Sequence, residues 1–477
     1  MDFSAFTKKV ETYLTPEKIY WSIIACLWIE YAFELYLCLR QRKVYHQSKE
    51  KVPKELNLDK ETFEKSRLYG LDKGNFSMFH DFYSMFVLTG LLSCSGLYKG
   101  WIVSGPVLDF FNVWPVGWDK EIGKSVSFSL IALLFNNIVG LPLSLYSTFV
   151  LEEKHGFNKQ TLGFFCKDTV KGILVSALIT VPIVGLIVKI VQLGGQFFFV
   201  WLWIFCFIVL MFLMTIYPLL IAPLFDKYTP LQEGPLRTRI EALAGRIKFP
   251  LTKLFVVEGS KRSAHSNAYL YGLFNNKRIV LYDTLIKGYV KSTDDKKDKE
   301  ENGESSKATE KKADPESEEK GCTDEEIEAV LGHELGHWKL NHVVKNIVIS
   351  QANLLFIFAL FAMFYQNSTV YEAFGFPKKT EKPILLGLII VLQFLLQIYN
   401  AAMGFLMHVL SRKFEFEADE FSVQLGYGRD LKGALMKLNK DNLSFPITDP
   451  LYSAWHHSHP PLLQRLHAID DAMKKSK

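Results

Sequence analysis

A soluble chain of 477 residues would ordinarily divide into about three domains, and its formal net charge of +5 is modest. Basic residues do not interleave with aromatics, which argues against a nucleic-acid partner. Hydrophobic residues make up 49% of the chain. They gather into seven apolar stretches near 19–39, 79–98, 125–150, 170–191, 197–222, 343–365 and 383–410, each long enough to cross a bilayer. A multi-span membrane protein therefore replaces the three-domain expectation.

Residues 1–18 are polar and charged, so the first stretch reads as an anchor rather than a cleavable leader. It carries Glu30 and Glu34, one turn apart on one face. A charge at mid-membrane costs about 2.5–3.5 kcal/mol, whereas an apolar residue returns about 0.3–0.6. The pair should therefore face protein or water. Asn136 and Asn137 in the third stretch, with Gln393, Gln397, Asn400 and His408 in the seventh, extend the pattern. Helix–helix hydrogen bonds would explain any one of them; together they favour a hydrated interior. The 40–78 connection is dense in Lys and Arg, whereas the next connection carries Lys99, Lys120 and Lys124. The positive-inside rule puts the first connection in the cytosol, and seven spans then make 226–342 and the tail after 410 cytosolic. Five cysteines lie in or beside apolar stretches, Cys322 lies in a polar linker, and none forms a C-x-x-C pair. Neither a disulfide framework nor a thiolate metal site is indicated.

After the fifth stretch, Leu231–Phe249 reads as an amphipathic helix, and Lys253–Val257 and Arg278–Tyr282 as short strands. Between them, His265–Tyr269 reads as a third strand, whose edge could dock an extended peptide. Residues 291–320 hold eight basic and eleven acidic residues and almost no apolar ones, a composition that predicts disorder. Thr323 and Glu326 then form a T-x-x-E capping box that starts a helix. On it His333 and His337 stand four apart on one face, and Glu334 is about 100° round from His333. Two imidazoles can grip one ion while Glu334 reaches its water without ligating it. This H-E-x-x-H pattern is the zinc-peptidase arrangement, and a chance match in an ordinary amphipathic helix is the alternative. Gly336 in mid-helix costs about 1 kcal/mol relative to Ala, so something should pack closely there.

A zinc site of this type needs a third ligand and an open position. Glu415 and Asp419, four apart on a later helical stretch, supply a carboxylate for the ion and an acceptor for a ligating imidazole. Near the end, His459 and Arg465 are candidates to orient a substrate carbonyl or stabilise an oxyanion. Docking of the tail onto the zinc domain is the alternative. His342, His46 and His80 read as ordinary surface or interface histidines. Lys474, Lys475 and Lys477 fit a K-K-x-x retrieval pattern of the endoplasmic reticulum, or a merely solvated basic end.

These residues carry a specific resemblance. His333-Glu334-Leu335-Gly336-His337-Trp338, the run from Glu258 to Tyr269, Ser411 to Asp419, His457 to Pro461, Glu152 to Asn158 and Thr161 to Phe165 together resemble the type I CAAX prenyl endoproteases. The resemblance runs from about Glu61 to Leu466 and implies a mainly α fold. That fold is a seven-span transmembrane helical bundle enclosing a hydrated chamber, capped by a cytosolic zinc metalloprotease domain with a small β-sheet. The membrane bundle would occupy 1–225, the zinc domain 226–342 and 411–477 with its tail, and the last two spans 343–410. His333, His337 and Glu415 would hold one Zn2+, with Asp419 behind them. Glu334 would be the general base and later the acid, Asn267 and Ala268 would lie on the substrate-side strand, and His459 and Arg465 near the scissile bond. The implied substrates are farnesylated or otherwise prenylated proteins ending in Cys-a-a-X, which lose their last three residues. Some members make a second, upstream cut, as in prelamin A maturation. The implied location is the endoplasmic-reticulum membrane and the inner nuclear membrane. A general membrane-protein quality-control endopeptidase with no strict need for a prenyl group is the competing function. A non-enzymatic scaffold with a structural metal would have no need of Glu334.

Overall fold

The computed structural model describes residues 14–49, 51–56, 58–111, 118–272, 276–289 and 320–475. The 291–320 linker expected to be disordered lies, up to residue 319, outside the described residues. Among the described residues, five helices are long and apolar enough to cross a membrane: α1 (Pro16–Gln47), α4 (Lys120–Tyr146, prolonged to Glu152), α5 (Leu162–Leu193), α6 (Phe198–Ile216, within an apolar run Gly195–Phe225) and α9 (His342–Phe364). Two further apolar helices are bent. α2 (Lys60–Ser93) meets α3 (Gly96–Phe111) at 71°, and α10 (Ile384–Ile389, prolonged to Leu395) meets α11 (Gln397–Gln424) at 64°. Counting each bent pair as one span gives seven.

Hydropathy reads 79–98 and 383–410 each as a span, the first weakened by Ser and Gly, and the structure bends both. At the first, Ser95 takes a positive φ of 55°, and Gly96 lies so close to the Leu91 carbonyl oxygen that a Cβ there would stand 2.8 Å from it. At the second, the wide turn Ile390–Leu395 ends at Leu396, outside helical geometry. Both glutamates of α1 pair with protein. Gln397 donates to Glu30, while Glu34 accepts from Trp455 Nε1 at 2.6 Å and lies 3.1 Å from His456 Nε2. Glu34 thus fastens the tail to the first helix. Asn136 and Asn137 line a cavity of about 470 Å3 between α4 and α5.

The second body begins immediately after the Gly195–Phe225 run. Strands β1 (Tyr228–Pro230), β2 (Leu251–Val257), β3 (Ala268–Tyr271) and β4 (Lys277–Tyr282) form one sheet in the order β1-β2-β4-β3, with β2 and β4 parallel and the outer pairs antiparallel. The third strand starts at Ala268 rather than His265, because Asn442 Oδ1 takes the Ser266 N–H at 3.0 Å and holds that segment out of the ladder. Helix α7 (Pro235–Ile247) covers one sheet face, and α8 (Asp324–Lys339) packs beside it. The expected capping box starts α8: Thr323 Oγ1 accepts from Glu326 N at 3.3 Å, and Glu326 Oε2 from Thr323 N at 2.9 Å.

On α8, Ile327, Leu331 and Leu335 recur every four residues and are fully buried against the sheet and α7. Each contributes about 1.5–3 kcal/mol by burial. His333 lies two positions, about 200°, from Leu331, so the same packing turns the imidazoles the other way, onto α11. Helices α12 (Gly428–Asp441), α13 (Pro450–His456) and α14 (Leu462–Lys475) complete this body.

The close approach expected at Gly336 is present. A Cβ there would meet the Ala418 Cα of α11 at 3.2 Å, and one on Gly332 would meet Ser422 Oγ at 3.0 Å. Ala418 is fully buried and has no side chain to move aside. Gly336→Ala should therefore lower stability by about 1–3 kcal/mol through overpacking, despite its better helix propensity. Because α11 must shift, it should also release metal. Thermal unfolding and metal content of the purified variant check both.

Candidate metal centre

Helices α8 and α11 bring three side chains together from positions about 80 residues apart. His333 Nε2 and His337 Nε2 are 3.2 Å apart; Glu415 Oε1 lies 3.2 Å from His337 Nε2, and Oε2 lies 3.6 Å from His333 Nε2. All potential ligand atoms fall within 4.8 Å of one another, and among the described residues no other group of this kind is found. His333 and Glu415 are buried, and Glu415 Oε2 has no hydrogen-bond partner among the described residues. A buried carboxylate oxygen without a donor is costly, and the Arg465 guanidinium, with Nη1 3.5 Å away, makes no hydrogen bond to it. Two imidazole nitrogens and a carboxylate at one point are the donor set of a three-ligand zinc site. The residues fit a divalent ion.

Each imidazole is held from behind. Asp419 Oδ1 lies 2.8 Å from His333 Nδ1, as expected for an acceptor that fixes the tautomer. Arg465, expected near the scissile bond, is buried beside the site and bound to Asp419, Nε to Oδ2 at 2.8 Å and Nη2 to Oδ1 at 2.6 Å. Its Nη1 stands 3.5 Å from Glu415 Oε2. Burial works against the Arg465 charge, but the Asp419 hydrogen bonds and the charges of Asp419, Glu415 and Glu334 outweigh it and hold its pKa above the ordinary value. This guanidinium anchors the carboxylates.

The partner of His337 is one that sequence reasoning set aside. His342, read as an ordinary histidine, is 2% exposed and lies with Nδ1 2.9 Å from His337 Nδ1. Its Nε2 is 3.0 Å from Glu417 Oε2, and its ring stacks on Phe414 at 4.0 Å and 5°. For His337 Nε2 to keep a lone pair toward the ion, Nδ1 must carry the proton and donate to His342 Nδ1. His342 must then hold its own proton on Nε2, where Glu417 accepts it. The chain Glu417–His342–His337 sets one tautomer at each ring. Asn341, at φ 59° between α8 and α9, turns the backbone so that His342 folds back onto the site. The signal in the sequence was a histidine five positions beyond His337, a spacing that shares no helical face with it.

The remaining expected residues surround the opening. Glu334 is half-buried and has no hydrogen bond or ion pair among the described residues. His459 Nε2 is 3.3 Å from Glu415 Oε1, and its side chain is 65% exposed, which places it on the open side. Ala268 begins edge strand β3, which packs against α8, with exposed Asn267 just before it. Burial, with Glu326 and Asp441 adding to it, pushes the Cys322 thiol up to about 12, which leaves it a protonated core residue.

Comparison with known proteins agrees with this arrangement. Residues 41–227 match the family described as CAAX prenyl protease N-terminal, five membrane helices, and residues 230–473 match peptidase family M48. The chain is 49% identical to the Homo sapiens CAAX prenyl protease 1 homolog over 95% of both chains. It is 37% identical to CAAX prenyl protease 1 of Saccharomyces cerevisiae, over 98% of this chain and 99% of that one. The crystal structure of S. mikatae Ste24p superposes with a TM-score of 0.81 at 38% identity, covering 95% of this chain and 99% of the other.

The tautomer chain makes a specific demand. His342→Phe keeps the stack on Phe414 but removes the acceptor, and should weaken zinc binding about 10–100-fold. His342→Asn retains an acceptor near Nδ1 and should lose only a few-fold. Competition with a chromogenic chelator measures both constants.

Proposed function

The chain belongs to peptidase family M48, and we propose that it removes the last three residues of prenylated proteins ending in Cys-a-a-X, with one zinc ion held by His333, His337 and Glu415. It is a metalloendopeptidase of the CAAX prenyl protease type. The observation that supports the finer reading is the convergence of three ligands beside an uncommitted Glu334. When bound, the ion supplies Lewis acidity toward water and the scissile carbonyl.

The chain's own residues do the rest. An extended peptide pairs with the free edge of β3 at Asn267 and Ala268, which fixes the carbonyl's height above α8. Glu334 takes a proton as water attacks and returns it to the departing amine. His459, on the open side, donates to the carbonyl oxygen as negative charge develops. Asp419 and Arg465 hold His333, while His342 and Glu417 hold His337.

In this reading each bent helix pair is one span, and the seven spans enclose a hydrated chamber. The zinc domain, built from 226–342 and 411–477, caps it on the cytosolic side of the endoplasmic-reticulum membrane and on the nuclear side of the inner nuclear membrane. A second, upstream cut in substrates like prelamin A belongs to the same site.

Two measurements test this. Purified protein should hydrolyse a farnesylated Cys-a-a-X peptide, stop when zinc is chelated and resume when it is restored; equal hydrolysis of the unprenylated peptide would favour the quality-control function instead. Glu334→Gln should keep its zinc and lose about 10²–10⁴ in rate. Undiminished proteolysis in that variant would refute the base assignment.

A further inference from the structure

Strand β3 is the edge of its sheet, so an incoming peptide can pair with it on one side only. Antiparallel pairing is the commoner and slightly more stable arrangement. A peptide paired that way runs opposite to β3, and its C-terminus travels past Ala268 toward Asn267, Ser266 and His265. There the structure opens a cavity of about 620 Å3 between α1, α2 and the 442–457 segment. His265 and His457 both line it. Each is two residues from a residue already placed at the site, Asn267 and His459 respectively. The three residues released would reach at most ~10 Å when extended.

The chemistry of the walls is one-sided. Arg42 and Lys73 line the cavity together with aromatic Tyr45, Tyr69 and Phe445, and no described lining residue is acidic. Arg42 has no ion pair among the described residues, and Lys73 Nζ stands 4.9 Å over the Tyr69 ring. Behind this wall, Glu152 lies within coulombic reach of Lys73 but accepts the Tyr69 hydroxyl at 2.8 Å, while Glu34 and Asp81 act on the lining Cys38 and Tyr452 from the other side. The wall is also fixed. Arg40 pairs with Asp449 at 2.9 Å, Gln41 Oε1 accepts from Asp449 N at 2.8 Å, and Gln41 Nε2 donates to the Ile447 carbonyl at 3.3 Å. These contacts tie the end of α1 that bears Arg42 to the 442–457 segment.

We infer that this cavity receives the free α-carboxylate of the substrate, with Arg42 and Lys73 as its countercharges; the inference rests on the peptidase reading above. It explains how an endopeptidase with an open-ended strand would register its cut three residues from a chain end. The ligand class is a peptide C-terminal carboxylate.

The test compares two farnesylated Cys-a-a-X peptides that differ only in ending as the free acid or the carboxamide. Wild-type protein should prefer the acid by about 10–100-fold in kcat/KM, the scale of a charged hydrogen bond, mostly through KM. In the double variant Arg42→Gln, Lys73→Gln the preference should fall below about threefold. Equal rates on both peptides in the wild type, or an unchanged preference in the double variant, would overturn the inference. The wild-type comparison stands even if the variant fails to fold, which its zinc content and thermal unfolding report. Failure of the wild type to cut either peptide would instead overturn the peptidase reading.

Discussion

The approach of two helices sets everything at this site. α8 and α11 touch where Gly332 and Gly336 present no side chain, and only at that separation do His333 and His337 reach Glu415. Both helices are continuous with apolar ones. α8 turns through Asn341 into α9, and α11 runs from its bend at Leu396 through an apolar half before it reaches the ligand. The metal centre is therefore held at the border of the apolar bundle by the same backbone that builds that bundle. Ligands on a mobile loop would lack this register.

Charge explains why the arrangement suits a divalent ion. Glu334, Glu415 and Asp419 gather around a single guanidinium, Arg465. Three carboxylates against one guanidinium leave the cluster net negative, which favours a bound cation. Burying Asp419 and Arg465 carries a desolvation cost of several kcal/mol per ion. The bidentate geometry offsets much of it and leaves Asp419 with one lone-pair direction for His333. On the other side, His342 spends its two nitrogens on His337 and Glu417. The imidazoles thus arrive with their tautomers already chosen.

Much of this was legible in the residues. The capping box, the H-E-x-x-H spacing and the Glu415–Asp419 spacing are local patterns, and each fixes which side chains share a helical face. The two flanking strands could be read from β-branched content, and the apolar stretches from their length. What stayed hidden depends on contacts between distant segments. The bend near Ser95 falls where Ser and Gly weaken the apolar run, whereas the bend at Leu396 follows from backbone conformation that hydropathy does not report. His342 seemed unconnected because a turn at Asn341, not a helical period, brings it to His337. Arg465 and Asp419 are 46 residues apart, and only the packing of α14 on α11 pairs them. Glu34, expected to face protein or water, faces protein, and its partner Trp455 comes from the far end of the chain.

The most direct measurement is anomalous X-ray scattering at the zinc edge from crystals of the purified protein. A single strong peak should lie among His333 Nε2, His337 Nε2 and the Glu415 carboxylate. Density with Glu415 turned away and no scatterer between the two imidazoles would contradict the account at its root.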